Sequence, residues 1–427
     1  MKKIYLSIVG FSMLCRLNAS AQVGNNSLAD NKAPFTISTP AAIDTSGYNL
    51  RKIHLDEVDF VTSYYNQNGD HSAVTGGIGT EKVTDVANSL TLNLVWLNKS
   101  DNKNTLAVGL GFDYHTAASQ AFVSKTGASS PTGTRVYPSL DWTVENAKKG
   151  NTFGLGAYYS GEFNYQSLGA DLHFSQKTAD KNGEFSAKLQ GYFDKVTLIY
   201  PSEFEPASTT DYNGNGNGYS DGRGHHNYGS SPRTTLAASF SYSQMINSRL
   251  QVMLLGDVVT QHGFLSLPFH RVYFNNGKDT IERLPSSRFK LPVGARLNYF
   301  LGDNIILRTY YRYYIDNWGI RSNTAGIEVP YKITPFFSIS PFYRFYNQTA
   351  SKYFAPYEEN SPTAQYFTSN YEYAKFESSF YGIGFRLAPP NGVFGWQGLH
   401  ELEIRYGHYT QTTDLASNVV SLSLGFK

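Results

Sequence analysis

Cysteine and long apolar runs are nearly absent from this sequence, and each absence limits what the chain can be. Cys15 is the one cysteine among 427 residues, so neither an intrachain disulfide nor a cysteine-rich metal site can form. No stretch contains the roughly 18 consecutive apolar residues that predict a transmembrane helix. Charged residues make up only 16% of the chain and the formal net charge is +2, which argues against a nucleic-acid partner.

The N-terminus has the build of a secretory signal peptide. Lys2 and Lys3 precede an apolar run over residues 4–15, and the sequence NASAQ offers a small-x-small cleavage site after Ala21. The apolar run is shorter than the roughly 20 residues that a membrane-spanning helix requires. We therefore predict an exported protein with a cleaved signal peptide over residues 1–21.

Cleavage changes the composition of the predicted mature chain. The cysteine leaves with the signal peptide, as do three of the 36 Lys and Arg residues, so that 33 remain against 34 acidic residues. A lipoprotein signal ending at Cys15 is the less favoured alternative, because Met13 and Leu14 are bulky where that processing favours small residues. Residues 22–50 are polar and predict a flexible periplasmic leader.

Aromatic residues are abundant by contrast. They make up 15% of the chain, with 32 Tyr and 28 Phe, although the mean hydropathy is only −0.36. In the stretch IILRTYYRYYIDNW (residues 305–318), a strand places Tyr311 and Tyr313 on one face and Arg308 and Arg312 on the other. One face suits lipid and the other suits a wet interior, which is the alternation typical of a transmembrane β-barrel.

About 16 segments of roughly 9–13 residues show this alternation. The connections between them are of two kinds, short turns such as NKSDNKN and NAKKGN, and five long loops at 66–88, 115–134, 195–233, 261–289 and 348–375. The short turns fall on one side of the predicted sheet and the long loops on the other, with 387–398 as an exception. We predict an all-β fold, a transmembrane antiparallel β-barrel over residues 51–427 with short periplasmic turns and long extracellular loops.

Two observations qualify this prediction. A tandem soluble β-sandwich is the alternative architecture, but its loops would not segregate by side. Pro292 and Pro341 lie inside predicted strands, where a closed barrel has no free edge for a residue without an N–H group. We expect β-bulges or shifted strands at both prolines.

Charged residues on the inward strand faces are the candidate functional residues, because a barrel of about 16 strands is wide enough for an aqueous lumen. The pore-lining candidates are Asp113, Asp141, Asp171, Lys290, Arg296, Arg308, Arg312, Glu328, Arg344, Arg386, Glu403 and Arg405. The first half of the chain supplies mainly acidic residues and the second half mainly basic ones, which predicts a transverse field that orients dipolar solutes. The alternative is that these charges pair across neighbouring strands and fill the interior.

The sequence offers few other sites. Asp211, Asn213 and Asn215 match the start of a calcium loop, but the twelfth position is Gly222 instead of the bidentate Glu. We predict no cofactor and keep calcium in this loop as a weaker alternative; the adjacent His225 and His226 are a similarly weak transition-metal site. The nucleophile and zinc motifs of hydrolases are absent, so the chain is not predicted to be an enzyme.

Several long blocks carry a resemblance to a known family. They are SAVTGGIGTE (72–81), LPFHRVYF (267–274), RLPSSRFKLPVGARLNYFLGDN (283–304), LRTYYRYYIDNWGIR (307–321) and FFSISPFYRFYNQTASKYFAPY (336–357). Together they resemble an uncharacterised Gram-negative outer-membrane family known only as a domain of unknown function. The resemblance implies a single outer-membrane barrel and no established activity. Members are often encoded near flavin-transferase-like and thioredoxin-like proteins, which hints at an envelope redox role.

The functional prediction is a porin-like channel in the outer membrane of a Gram-negative bacterium, with small polar solutes passing a charge-segregated lumen. Its surroundings would be outer-membrane lipid and lipopolysaccharide. The alternative is a closed barrel that anchors or binds a periplasmic or lipoprotein partner in a cell-envelope complex.

Overall fold

The structure is a computed structural model that describes residues 52–117, 132–162, 164–204 and 229–427. These residues form nineteen strands. They are β1 (His54–Asn68), β2 (Val83–Leu97), β3 (Lys103–Ala117), β4 (Thr132–Asn146), β5 (Asn151–Glu162), β6 (Tyr165–Lys177), β7 (Gly183–Thr197), β8 (Ser230–Asn247), β9 (Leu250–Gly263), β10 (Arg271–Tyr273), β11 (Asp279–Ile281), β12 (Ser287–Leu301), β13 (Ile305–Asp316), β14 (Arg321–Glu328), β15 (Tyr331–Thr334), β16 (Phe337–Gln348), β17 (Phe376–Leu387), β18 (Leu399–Gln411) and β19 (Leu415–Phe426).

One antiparallel sheet contains seventeen of these strands and closes on itself. Each strand pairs with its neighbours in the chain, β9 pairs with β12, and β1 closes the ring by pairing with β19. The strands β14 and β15 together face β16 and form one interrupted spanning strand. The barrel therefore has 16 spanning strands, and the predicted fold class is confirmed. The remaining strands, β10 and β11, form a separate hairpin.

Proline explains the interruption between β14 and β15. Pro330 faces β13, where its carbonyl oxygen accepts a hydrogen bond from the N–H of Ile306 at 2.9 Å. Proline has no N–H, so the carbonyl of Ile306 receives no hydrogen bond from it. Pro341 of β16 lies opposite Val329 and likewise accepts at 3.0 Å without donating. The register is nevertheless continuous through Pro292 and Pro341. The bulges predicted at those two prolines are wrong, because the ladder loses single hydrogen bonds there instead of inserting a residue.

The two ends of the barrel differ as the sequence predicted. Short connections at 98–102, 147–150, 178–182, 248–249 and 302–304 lie at the end that also holds the C-terminus of β19. The longer connections lie at the opposite end, together with the short ones at 317–320 and 412–414. Connection 388–398 is the exception at the short-turn end. Within the described residues, no helix has the length and apolar character needed to cross a membrane.

The outward face of the strands is apolar around the whole barrel. Leu110, Leu168, Leu254 and Tyr343 are 53%, 61%, 57% and 43% exposed, and most other strands contribute equivalent residues. Exposed apolar area of this extent is unfavourable in water. A belt of this kind is what the outside of a membrane barrel presents to lipid.

Three long connections, 69–82, 264–286 and 349–375, pack together with the turn 317–320 into a folded unit that we call the loop cap. Phe274 pairs with Asn360 and Arg283 with Phe367 through isolated β-bridges, and Arg271 Nη1 donates to Val74 O at 2.7 Å.

The loop cap also has an apolar interior. Its buried clusters contain Val74, Leu267 and Phe269, then Val272, Phe274 and Phe367, then Leu284, Trp318, Ile320 and Tyr373. Burial raises the pKa of the Tyr373 phenol above its ordinary value. The loop cap is therefore a packed structure at the long-loop end, and not a set of solvated loops.

Candidate functional site: the inward face of the barrel

All twelve predicted pore-lining residues lie in described strands, on the face opposite the apolar belt. Asp113 alternates with Phe112 and Tyr114, which are 43% and 44% exposed on the outside, while Asp113 is 6% exposed. In β13, Arg308 and Arg312 alternate with the outward Tyr311, as the sequence pattern indicated. A strand sends successive side chains to opposite faces, so register and parity together assign each residue to the interior.

The inward charges are sorted by wall. On β1–β9, eleven carboxylates oppose five cations, a formal charge of −6; on β12–β18, four carboxylates oppose nine cations, a formal charge of +5. The first wall has Glu57, Asp59, Asp85, Asp113, Asp141, Glu145, Glu162, Asp171, Glu184, Asp194 and Asp257 against Lys103, Arg135, Lys177, Lys188 and Arg233. The second has Asp316, Glu328, Glu401 and Glu403 against Arg288, Lys290, Arg296, Arg308, Arg312, Lys332, Arg344, Arg386 and Arg405.

The two arginines among the five cations of the acidic wall pair with its carboxylates. Arg135 Nε lies 3.5 Å from Asp113 Oδ2, and Arg233 Nη2 lies 2.5 Å from Asp194 Oδ2. The sequence prediction named neither arginine. Both stand at the starts of their strands, at or outside the predicted ends, so an error of two to four residues at a strand end was enough to miss them.

Asp171 is the centre of the densest cluster on this wall. Its carboxylate lies 2.9 Å from His173 Nδ1 and 3.2 Å from Lys188 Nζ, and accepts from the hydroxyl of Tyr158. With Asp141, these carboxylate and imidazole atoms lie within 4.8 Å of one another, which is metal-ligand spacing. The Lys188 ammonium already supplies a cation to the cluster. Its arrangement fits a hydrogen-bonded charge network, in keeping with the pairing alternative.

The basic wall also contains ion pairs near the short-turn end. Glu328 Oε1 is shared by Arg308 Nη1 at 3.6 Å and Arg405 Nη1 at 3.3 Å. Arg405 also contacts Glu403 at 2.9 Å, and Arg386 Nη2 lies 2.6 Å from Glu401 Oε2, near the start of β18.

Arginine and aromatic residues follow one another across the basic wall, in a row of residues that lie opposite each other on neighbouring strands. The row runs from Arg296 through Tyr310 to Gly326, and from there through Arg344 to Phe380. The guanidinium of Arg296 lies 5.4 Å from the Tyr310 ring centroid, and that of Arg344 lies 5.1 Å from the Phe380 centroid. At these distances the guanidinium groups form cation–π interactions with the rings, and these interactions hold the guanidinium groups against the wall.

Solvent exposure separates the two ends of the interior. The side chains of Arg405 and Arg386 are 30% and 40% exposed, although both point inward. Asp171 in the middle of β6 and Asp316 at the loop-cap end of β13 have side chains that are 0% exposed. The interior is therefore more open to water along the lower basic wall than in the middle of the acidic wall or beside the loop cap.

Three predicted features lie outside the described residues. They are the signal peptide and leader over residues 1–50, the calcium candidates Asp211, Asn213 and Asn215, and the adjacent His225 and His226.

A sequence profile shows to which family the chain belongs. The profile described as protein of unknown function DUF3570 matches residues 51–420. The chain belongs to this family. The match covers the whole described barrel apart from the last residues of β19, so the family is defined by the barrel itself, and the predicted recognition is confirmed.

Comparison of this DUF3570 member with other proteins does not indicate an activity. No curated protein matches the chain. One similar solved structure is OccK1 (OpdK) of Pseudomonas aeruginosa, with 5% identity, coverage of 87% of this chain and 97% of that chain, and a TM-score of 0.39. A second is OccK9 (OpdG) of Pseudomonas aeruginosa, with 8% identity, coverage of 89% of this chain and 100% of that chain, and a TM-score of 0.42. A third is a BenF-like porin from Pseudomonas fluorescens Pf-5, with 7% identity, coverage of 88% of this chain and 98% of that chain, and a TM-score of 0.42. All three TM-scores are below 0.5, and we draw no functional conclusion from them.

Proposed function

We propose that this protein is an outer-membrane channel for small polar solutes. The observation that carries the proposal is the closed 16-strand barrel whose inward face sorts its charges into an acidic and a basic wall. The outward apolar belt supports placement in a membrane, and the predicted signal peptide supports export to the Gram-negative outer membrane. The proposal includes no catalytic step.

Charge sorting gives the lumen a field across its width. Solvated arginines on one wall face carboxylates on the other, and low-dielectric walls focus the field between them. A dipolar solute lowers its energy by aligning with this field, whereas an apolar solute gains no electrostatic stabilisation from it. The loop cap narrows the entrance at the long-loop end, so passage favours small solutes.

Single-channel conductance of the purified protein in a planar bilayer tests the proposal. In symmetric potassium chloride we expect steady open steps. In a salt gradient, Arg308→Ala/Arg312→Ala/Arg344→Ala should move the reversal potential toward cation preference, because it removes three of the nine inward cations of the basic wall.

A matched control removes three cations outside the lumen. Lys99, Lys148 and Lys149 lie exposed in the turns at the short-turn end. Since exposed charges are screened within about 10 Å at 0.1 M salt, their replacement by Ala should leave the reversal potential almost unchanged. Equal shifts in both triple variants would contradict a role for the basic wall in selectivity.

The loop cap is the specific observation that favours the second candidate, a closed barrel that anchors or binds an envelope partner. Its apolar clusters and bridges make a folded surface at the long-loop end. Absence of conductance steps from protein shown to be folded by heat-modifiable gel migration would overturn the channel and favour this candidate.

A further inference from the structure

Two inward glycines on β5 allow side chains of β6 to lean across it toward β4. Gly156 lies between Asp141 of β4 and Asp171 of β6, directly opposite both. A Cβ added at Gly156 would collide with the Asp171 carboxylate, and one added at Gly154 would collide with the His173 imidazole. The intervening strand therefore has no side chain at the two positions over which these groups converge.

Three potential metal ligands face one another above this strand. His173 Nδ1 lies 2.9 Å from Asp171 Oδ1 and 3.9 Å from Asp141 Oδ2, and the ligand atoms that the three side chains offer all lie within 4.8 Å of one another. Two ligands of one tetrahedral zinc ion, each about 2.0–2.2 Å from the metal, stand about 3.3–3.6 Å apart. The observed spacings lie on both sides of that value, so shifts of about 1 Å bring the three atoms onto a common ion.

Asp141 Oδ2 is the atom that indicates a ligand. It is buried from solvent and accepts no hydrogen bond from the residues that the structure describes, since His173 Nδ1 at 3.9 Å is too distant to donate one. The other carboxylate oxygen, Oδ1, accepts from the Thr143 hydroxyl at 3.0 Å. A buried carboxylate oxygen without a donor is unfavourable, and a cation between this oxygen and the imidazole would satisfy it.

The other two ligands already have the outer contacts that a metal site requires. His173 Nε2 lies 3.3 Å from Thr143 Oγ1, which turns Nδ1 toward the carboxylates. Asp171 Oδ2 lies 3.2 Å from Lys188 Nζ and accepts from the Tyr158 hydroxyl, which turns Oδ1 toward the imidazole. Outer partners of this kind orient metal-bound histidines and carboxylates. Lys188 therefore engages the outer oxygen of Asp171, on the side away from His173 Nδ1.

We propose that Asp141, Asp171 and His173 bind a divalent transition-metal ion such as Zn²⁺. One imidazole nitrogen and two carboxylate oxygens suit Zn²⁺ and its neighbours, whereas Mg²⁺ prefers an octahedron of oxygen ligands. The Asp141 side chain is 23% exposed on the inward face, which gives an ion a path to the site. The formal charge of the acidic wall also favours a cation there. The site does not depend on whether the barrel conducts.

Titration calorimetry of the detergent-folded protein with zinc chloride, after dialysis against EDTA, tests the site. A His225→Ala/His226→Ala background prevents those adjacent histidines from supplying the heat. We expect one zinc ion to bind and magnesium chloride to bind at least about tenfold more weakly, because the imidazole ligand disfavours a hard cation. Heat-modifiable gel migration shows that each protein is folded.

Four substitutions separate ligands from neighbours. Asp141→Asn and His173→Gln should each weaken zinc binding by more than about 100-fold, because each removes a ligand. Thr143→Val removes only an outer partner and should cost about 10–100-fold. His400→Gln is the control: this histidine also faces the interior but lies beside Glu57 alone, at 3.2 Å, and its loss should leave zinc affinity unchanged.

Two glycine variants test how β5 builds the site. An added Cβ collides with the His173 imidazole in Gly154→Ala and with the His115 imidazole in Gly133→Ala, so the two changes are matched in kind. We expect Gly154→Ala to weaken zinc binding at least about tenfold by displacing a ligand, and Gly133→Ala to leave it unchanged.

Three outcomes would overturn the proposal. They are the absence of zinc heat from the folded background protein, heat that persists in both Asp141→Asn and His173→Gln, and equal loss of affinity in the two glycine variants. Loss of zinc binding in folded Asp141→Asn, with binding kept in His400→Gln, would support it.

Discussion

Replacement of Asp316 by Ala should destabilise the barrel more than any exposed charge change, because this carboxylate joins two strands and a turn. Asp316 Oδ2 accepts from Arg288 Nε at 2.9 Å and Nη2 at 2.5 Å, and from the Tyr314 hydroxyl at 2.8 Å. Its other oxygen, Oδ1, accepts from the backbone N–H of Trp318 at 3.0 Å and of Ile320 at 2.9 Å.

The partner of this carboxylate is held on its other side by aromatic rings. The guanidinium of Arg288 lies 4.5 Å from the Trp318 ring centroid and 5.6 Å from that of Tyr373. The side chains of Arg288 and Asp316 are 10% and 0% exposed, so water cannot replace the carboxylate. Truncation would leave a buried cation without its counter-charge.

The expected loss follows from that burial. Removing one partner of a buried ion pair costs about 3–5 kcal/mol, and Asp316→Ala should lower the free energy of unfolding by that amount. Asp316→Asn keeps an acceptor for the turn and should lose about 2 kcal/mol, the worth of a charge-assisted bond. A double-mutant cycle of Asp316→Ala and Arg288→Leu should show a coupling free energy of about 1–3 kcal/mol.

Urea unfolding in lipid vesicles, followed by tryptophan fluorescence and gel migration, measures these losses. Glu145→Ala is the control, since its pair with Lys177 at 3.2 Å has side chains 35% and 37% exposed and should be worth no more than about 1 kcal/mol. A loss below about 1 kcal/mol for Asp316→Ala, or strict additivity with Arg288→Leu, would refute the assigned role.

Two further predictions concern the ends of the barrel. In the loop cap, Glu282 accepts from the N–H of Leu267 and the hydroxyl of Thr368, each at 2.7 Å, so Glu282→Ala should speed proteolysis of the loop cap while the barrel keeps its folded gel mobility; unchanged cleavage rates would contradict this. In the turn at 178–182, a hydrogen bond from Thr178 lowers the pKa of Asp180, so its stabilising contribution exists above the unfolded-state pKa and is lost as the pH falls through the folded-state pKa. Asp180→Asn should remove that acid dependence, and identical acid profiles for both proteins would show that the bond does not contribute.

Much of the fold follows from period-two alternation and turn composition alone. The outward Leu and Tyr residues and the inward charges of 305–318 obey a rule that depends only on strand geometry, and a closed sheet leaves few ways to arrange such segments. The strand ends were harder to predict. Arg288 falls in the predicted loop 261–289, and its pairing with Asp316 depends on a register that alternation does not specify.

The loop cap was beyond sequence reasoning for a different reason. Trp318, Tyr373 and Leu284 come from three separated segments that show no periodic pattern, and their contacts are set by tertiary packing. The same holds for the inward glycines, which look alike in the sequence and differ only in whether a neighbouring side chain leans over them.

The paired prolines also indicate how deep the barrel sits. A carbonyl that faces a proline receives no N–H, and such a group is costly in hydrocarbon, so Ile306 and Val329 belong at the headgroup level. From Ile306 the strand β13 continues to Asp316, about ten residues at ~3.3 Å each and inclined by roughly 40°, a rise of about 25 Å. That height equals the apolar band of an outer-membrane barrel, so the prolines serve as a depth mark for the inner water boundary, with the loop cap standing at the outer one.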